Sequence, residues 1–128
     1  MEHFTLETKS ANFPVTELRC GCDHCEKLVL NRVHPDALRA LQAMRTEYGK
    51  PLYLSSAYRC SRHPYEVNKP QRGRHNLGVA FDIKVTSGKE RMEIVALAIK
   101  HGFKGFGFAN TFIHIDMGSE DFRSWYYT

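Results

Sequence analysis

Apolar residues along this chain fall into two periods, and the switches between them mark the elements. Val33, Ala37, Leu41, Met44 and Tyr48 recur at helical spacing and form one apolar stripe, read as core. The stripe opens at His34-Pro35-Asp36, with proline at the first helical position and an acid in the first turn, and it stops at Gly49. Residues 51–59 then read as a strand with Leu52 and Leu54 inward and Arg59 near its end. A second helix is predicted from Ser87-Gly88-Lys89-Glu90, where serine satisfies a free backbone donor and glutamate reaches back to the cap. Its expected core stripe is Met92, Val95, Ala96 and Ile99, and it ends at His101-Gly102, where a cation complements the helix dipole.

Two further segments alternate with period two. In residues 79–85, Val79, Phe81, Ile83 and Val85 share one face, while Ala80, Asp82 and Lys84 share the other. In residues 112–117, Ile113, Ile115 and Met117 share the apolar face, leaving Phe112, His114 and Asp116 opposite. Each strand therefore puts metal-ligand residue types on the face that aliphatics do not claim. Residues 103–109, three phenylalanines alternating with glycine or lysine, predict a strand or turn leading into the second segment. Residues 61–74 hold two prolines and much charge, which predicts an irregular loop, and a loop of that length is expected to wall a cleft. The single tryptophan, Trp125, is expected to seal the core, with a wall of the cleft as the alternative.

Length and composition narrow the class. At 128 residues the chain predicts one domain with a single core, residues 1–30 forming a cysteine-containing segment packed on it. Strands and helices mix without regular alternation, so the expected class is α+β, a mainly antiparallel sheet with two main helices packed on it. No apolar run approaches the ~20 residues that span a bilayer. The first residues show neither a basic start nor an apolar segment, so no secretory signal is read, and the expectation is cytoplasmic synthesis.

His75, Asp82 and His114 make up the inventory of a two-histidine, one-carboxylate zinc site, which leaves a fourth position open for catalysis. Gly78 is expected to let the loop that carries His75 turn back over the strand. The residues around these ligands also carry a resemblance. Ser56-Ala57-Tyr58-Arg59, His75-Asn76-Leu77-Gly78-Val79-Ala80-Phe81-Asp82-Ile83 and Phe112-Ile113-His114-Ile115-Asp116 resemble, in order, three motifs of the zinc D-alanyl-D-alanine carboxypeptidase family. That family includes peptidoglycan endopeptidases and phage endolysins and shares the Hedgehog-type fold.

The resemblance implies one catalytic zinc on His75, Asp82 and His114, and a substrate in peptidoglycan stem peptides or cross-bridges. Carboxypeptidase and endopeptidase action both remain open. It further implies that Arg59 stabilises an oxyanion or holds a substrate carboxylate. Two positions depart from the family pattern: Gly73 stands where a serine is usual, and Thr111 where several relatives carry the catalytic acid. Asp116 is the best replacement as general base, with orientation of a ligand imidazole as its alternative role. A zinc-containing binding module of the same fold that no longer cleaves is the competing reading of the whole chain. The protein is expected to act as a monomer on the cell wall after release or delivery, without nucleic-acid or membrane partners.

Charge and cysteines add two features. The net charge is +4, and Arg59, Arg62, Lys69, Arg72 and Arg74 cluster into a basic stretch that reads either as a rim for an anionic partner or as a solvated loop. Cys20, Cys22, Cys25 and Cys60 supply the count for a closed structural zinc site. Disulfides and free thiols are the alternatives. Tying this segment to Cys60 would brace the neighbouring Arg59.

Overall fold

The two alternating segments pair with each other and form the centre of the sheet. The computed structural model describes residues 8–22, 31–71 and 73–127. In it Ala80–Lys84 (β2) and Phe112–Asp116 (β4) run antiparallel, with Phe81 opposite Ile115 and Ile83 opposite Ile113. All four of these side chains are fully buried, so the alternation delivers them to one core face. Leu54–Ser56 (β1) flanks β2 and Gly105–Phe108 (β3) flanks β4, both antiparallel. Arg123–Tyr126 (β5) closes the far edge parallel to β3, giving the order β1-β2-β4-β3-β5. The fold is thus a small α+β domain with a five-stranded, mainly antiparallel sheet.

Two helices cover the core face. Pro35–Tyr48 (α1) buries Ala37, Leu38, Leu41 and Met44. At its start the backbone N–H of Asp36 donates to His34 Nδ1 (3.1 Å), and Gly49 ends it in the left-handed region at φ 73°. Gly88–Lys100 (α3) begins at Ser87, whose hydroxyl accepts from the N–H of Glu90 at 3.1 Å. The Glu90 carboxylate reaches one residue beyond the cap, to the N–H of Thr86 (2.9 Å). At the other end His101 Nε2 meets Glu47 of α1 at 3.0 Å.

The buried face of α3 differs from the stripe expected from sequence. Ile94, Val95 and Ala98 are buried, whereas Met92, Ala96 and Ile99 face solvent. Ile94 to Ile99 is an unbroken apolar run, so the sequence offers no polar residue to fix the rotation, and packing against α1 and β4 decides it. The strand expected over residues 51–59 is shortened to β1, because its register against β2 slips between Leu54 and Ser56.

The amino-terminal segment joins the same core. Phe13, Leu18 and Cys20 are buried with Val33, Tyr58 and Cys60. A 3-10 turn, Val15–Leu18, places the Leu18 carbonyl to accept from the N–H of Tyr58 at 3.3 Å. Buried Asn31 ties the segment down, its amide donating to the carbonyl of Val15 (3.1 Å) and its oxygen accepting from the N–H groups of Thr8 and Val33 (both 3.2 Å).

Candidate metal centre

Sheet register brings the ligands together on the face away from the helices. Asp82 and His114 are directly opposite on β2 and β4, so both side chains leave on the same side, as close as cross-strand neighbours come. His75 arrives from a single helical turn, Arg74–Leu77 (α2), where a loop was expected. Gly78 ends that turn at φ 80°, and a Cβ there would strike the backbone carbonyl of Arg32, so a residue without a side chain is required on two counts.

The three ligand atoms converge. His75 Nε2 and His114 Nδ1 lie 3.2 Å apart, and Asp82 Oδ1 lies 3.3 Å from the first and 3.0 Å from the second. All three side chains are buried. The opposite ring nitrogens are already committed. His75 Nδ1 sits 2.7 Å from the carbonyl of Ala57, which only accepts, so the proton is on Nδ1 and Nε2 carries a bare lone pair. His114 Nε2 faces Asp116 Oδ2 at 2.8 Å, leaving His114 Nδ1 as the ligand atom.

Three electron-rich atoms therefore face one another. A tetrahedral zinc with bonds of about 2.0–2.1 Å spaces its ligands about 3.4 Å apart, close to the separations here. The donor set and its spacing fit zinc.

A second tier of side chains holds the ligands. Arg59 Nη2 lies 3.3 Å from Asp82 Oδ2, on the carboxylate oxygen turned away from the histidines. Asp116, expected from sequence to reach the reacting water, has no solvent exposure, and its carboxylate is engaged by His114 on one oxygen and Arg123 on the other. Burial pushes the carboxyls of Asp82 and Asp116 up, but their contacts with the histidines, and with Arg123 for Asp116, together hold both below the ordinary carboxylate range. For His114 burial opposes charging, yet Asp116 and Asp82 outweigh it and raise its pKa.

These directions predict how pH separates the metal-free protein from the loaded one. The contribution of His114 to metal-free stability is complete below the unfolded value of about 6.5 and is lost as pH rises through the higher folded value. The carboxylates contribute above about 3.9 and lose that contribution as pH falls through their lowered values. Chelated protein is therefore expected to lose thermal stability as pH rises from about 6.5 through the raised folded value of His114, while the stabilisation added by zinc grows over the same range because zinc binds only deprotonated imidazole. Melting curves with and without chelator check this. Two curves that stay parallel would contradict it.

The cluster lies at the base of an open cleft of about 800 Å³. Tyr65, Trp125 and Tyr127 line it with Arg59, Lys69, Arg74 and Arg123, so its walls are aromatic and cationic. Of the basic stretch read from sequence, Arg59, Lys69 and Arg74 face this cleft, Arg62 is exposed, and Arg72 lies outside the described residues. Trp125, expected to seal the core, instead sits half-buried on the cleft side with its ring 5.1 Å from that of His114. Gly73, where the resembling family carries serine, faces Glu66 and Lys69, whose side-chain ends occupy the space a Cβ would take. Thr111 is exposed in the turn before β4. A depression of about 810 Å³ between residues 8–10 and α1 has Glu47 as its one lining carboxylate, already engaged by Lys100 and His101.

Sequence reasoning missed Arg123 and Tyr127 and preferred the core over the cleft wall for Trp125, although the i, i+2, i+4 spacing of the three places them on one strand face. Room for them comes from β3. Gly105 and Gly107 stand opposite Asp116 and His114 on the cleft face. A Cβ on Gly107 would come within 2.6 Å of Trp125 Nε1 and 2.7 Å of Tyr127 Cε2, and one on Gly105 would run into Asp116 and Arg123.

An open three-ligand cluster on the free face of such a sheet is a candidate catalytic metal site, and comparison with known families makes the class a metallopeptidase. Comparison with models of protein families matches residues 5–116 to the family described as Peptidase M15, and the chain belongs to that family. Its members use zinc. A search of curated proteins finds no match.

Proposed function

We propose that this protein hydrolyses peptide bonds in peptidoglycan stem peptides or cross-bridges, with zinc held by His75 Nε2, Asp82 Oδ1 and His114 Nδ1. The observation that supports it is the convergence of these three atoms at the base of an open, cationic cleft. Zinc bound there supplies a Lewis acid that polarises a carbonyl and acidifies water at neutral pH.

The chain's own groups do the rest. Ala57 and Asp116 fix the two imidazole tautomers, so each ring offers a lone pair without reorganisation. Arg59 holds Asp82 and faces the cleft, where its guanidinium can take a developing oxyanion or a terminal carboxylate of the substrate. Tyr65, Trp125 and Tyr127 supply flat apolar surface for a peptide backbone, and the basic rim favours the anionic polymer that surrounds it. We read Asp116 as a positioning residue. The setting is lytic, in the manner of endolysins, at a cell wall reached after release or delivery, and the working form is a monomer.

A binding module of the same fold is the second reading. Among the described residues the carboxylates lining the cleft, Asp82 and Asp116, are both engaged, and Thr111 offers no replacement acid. Zinc-loaded protein incubated with purified sacculi separates the two. New amino termini and altered muropeptide masses are expected, absent with the His114→Ala variant. A fully zinc-loaded chain that sediments with sacculi yet leaves every muropeptide unchanged would favour binding and sink the hydrolase.

A further inference from the structure

A second group of metal-ligand side chains lies outside the cleft, where the amino-terminal segment meets the residues after β1. Cys20 and Cys60 are buried and Cys22 is half-buried. The Cys22 sulfur is 3.5 Å from that of Cys20 and 3.5 Å from that of Cys60, and all three lie within 4.8 Å of one another. We propose that Cys20, Cys22 and Cys60 bind a second metal ion as a structural zinc–thiolate site.

Spacing decides between the chemistries. A disulfide draws two sulfurs to about 2.05 Å and leaves the third behind, whereas the Cys22 sulfur stands well beyond that distance from both of the others, with all three within 4.8 Å. A tetrahedral zinc with bonds of about 2.3 Å sets its sulfurs about 3.8 Å apart, so the two 3.5 Å separations need to open by only a few tenths of an ångström to admit the ion. Cys60 lies 38 residues beyond Cys22, and the three sulfurs have no packing reason to meet at one point, since a buried cysteine otherwise behaves as a small hydrophobe. On binding, each thiol releases its proton to solvent and each sulfur gives an electron pair to the metal. Cys25, the fourth cysteine of the sequence-based expectation, lies outside the described residues.

The position of Cys60 gives the site its purpose. Residues 57–60 touch both centres in succession. The Ala57 carbonyl receives His75 Nδ1, the Tyr58 N–H donates to Leu18, the Arg59 guanidinium braces Asp82, and Cys60 joins the sulfur cluster. A metal on the sulfurs clamps this segment to residues 18–22 and thereby fixes the groups that orient His75 and Asp82. The two sites are mechanically coupled, and loss of the sulfur-bound metal is expected to weaken zinc binding in the cleft by roughly 10-fold, the scale of losing groups that orient ligands.

The test uses the full chain and does not depend on any peptidase activity. Purified with zinc and dialysed, it is expected to carry two zinc ions per chain. Its cobalt-substituted form is expected to show the intense near-ultraviolet band of sulfur-to-cobalt charge transfer. Cys60→Ser and the less buried Cys22→Ser each remove that band and one equivalent of metal, whereas His75→Ala removes one equivalent and keeps the band. Should the serine variants fail to fold, thiol titration of the unaltered chain decides, the sulfurs becoming reactive only after a chelator is added. Thiols that react equally fast with and without chelator, a disulfide in the intact mass, or a cobalt form without the band would each overturn the proposal.

Discussion

Replacing His114 with alanine is expected to release zinc from the cleft and lower peptide hydrolysis by on the order of 10³-fold or more, the several kcal/mol that a catalytic metal contributes. The size follows from what remains. His75 and Asp82 would hold the ion with two donors, and Asp116 would lose its histidine partner while staying fully buried beside Arg123. The core should survive, because Ile113 and Ile115, the neighbours of His114 on β4, pack on the opposite face of the sheet. Metal analysis, circular dichroism and a muropeptide assay on the same preparation check all three statements. A folded variant that keeps its zinc and its turnover would remove His114 from the centre.

The second large effect is expected from Asp116→Asn. An amide presents either a donor or a weaker acceptor to His114 Nε2 and no charge to Arg123, so the imidazole loses the partner that fixes its tautomer. Zinc affinity and activity should fall together, by roughly 10- to 100-fold, and activity should return at high zinc. Arg123→Lys, which keeps the charge, should retain more of both than Arg123→Ala. If Asp116 takes the reacting water's proton instead, the outcome separates cleanly. Zinc would bind normally, kcat would fall without recovery, and the acidic limb of the pH profile would disappear.

The parts of the site written in local pattern were legible without coordinates. Asp82 and His114 lie on strands whose aliphatics claim the other face, so alternation alone puts both side chains on one surface, and Gly78 pointed to the turn that brings His75 back over them. Both helix starts were readable because caps act within four residues of chain. What escaped depends on pairing between distant segments. Arg123 meets Asp116 only because β5 lies parallel to β3, and Trp125 reaches His114 by the same route. The true face of α3 was hidden for a different reason, since the unbroken apolar run from Ile94 to Ile99 carries no phase. The cysteines stood between: their number pointed to a shared site, but only folding shows Cys20, Cys22 and Cys60 side by side.

Bare positions at Gly105 and Gly107 turn one strand into a trough into which residues of the last strand lean. Arg123, Trp125 and Tyr127 cross it to reach the cleft, yet none of them is a zinc ligand. Evolution can therefore retune which peptide is accepted by rewriting the outer pair, Trp125 and Tyr127, while Arg123 stays to hold Asp116. For an engineer the same arrangement marks out a cassette, a short tail exchangeable for new selectivity while the engine beneath is left alone.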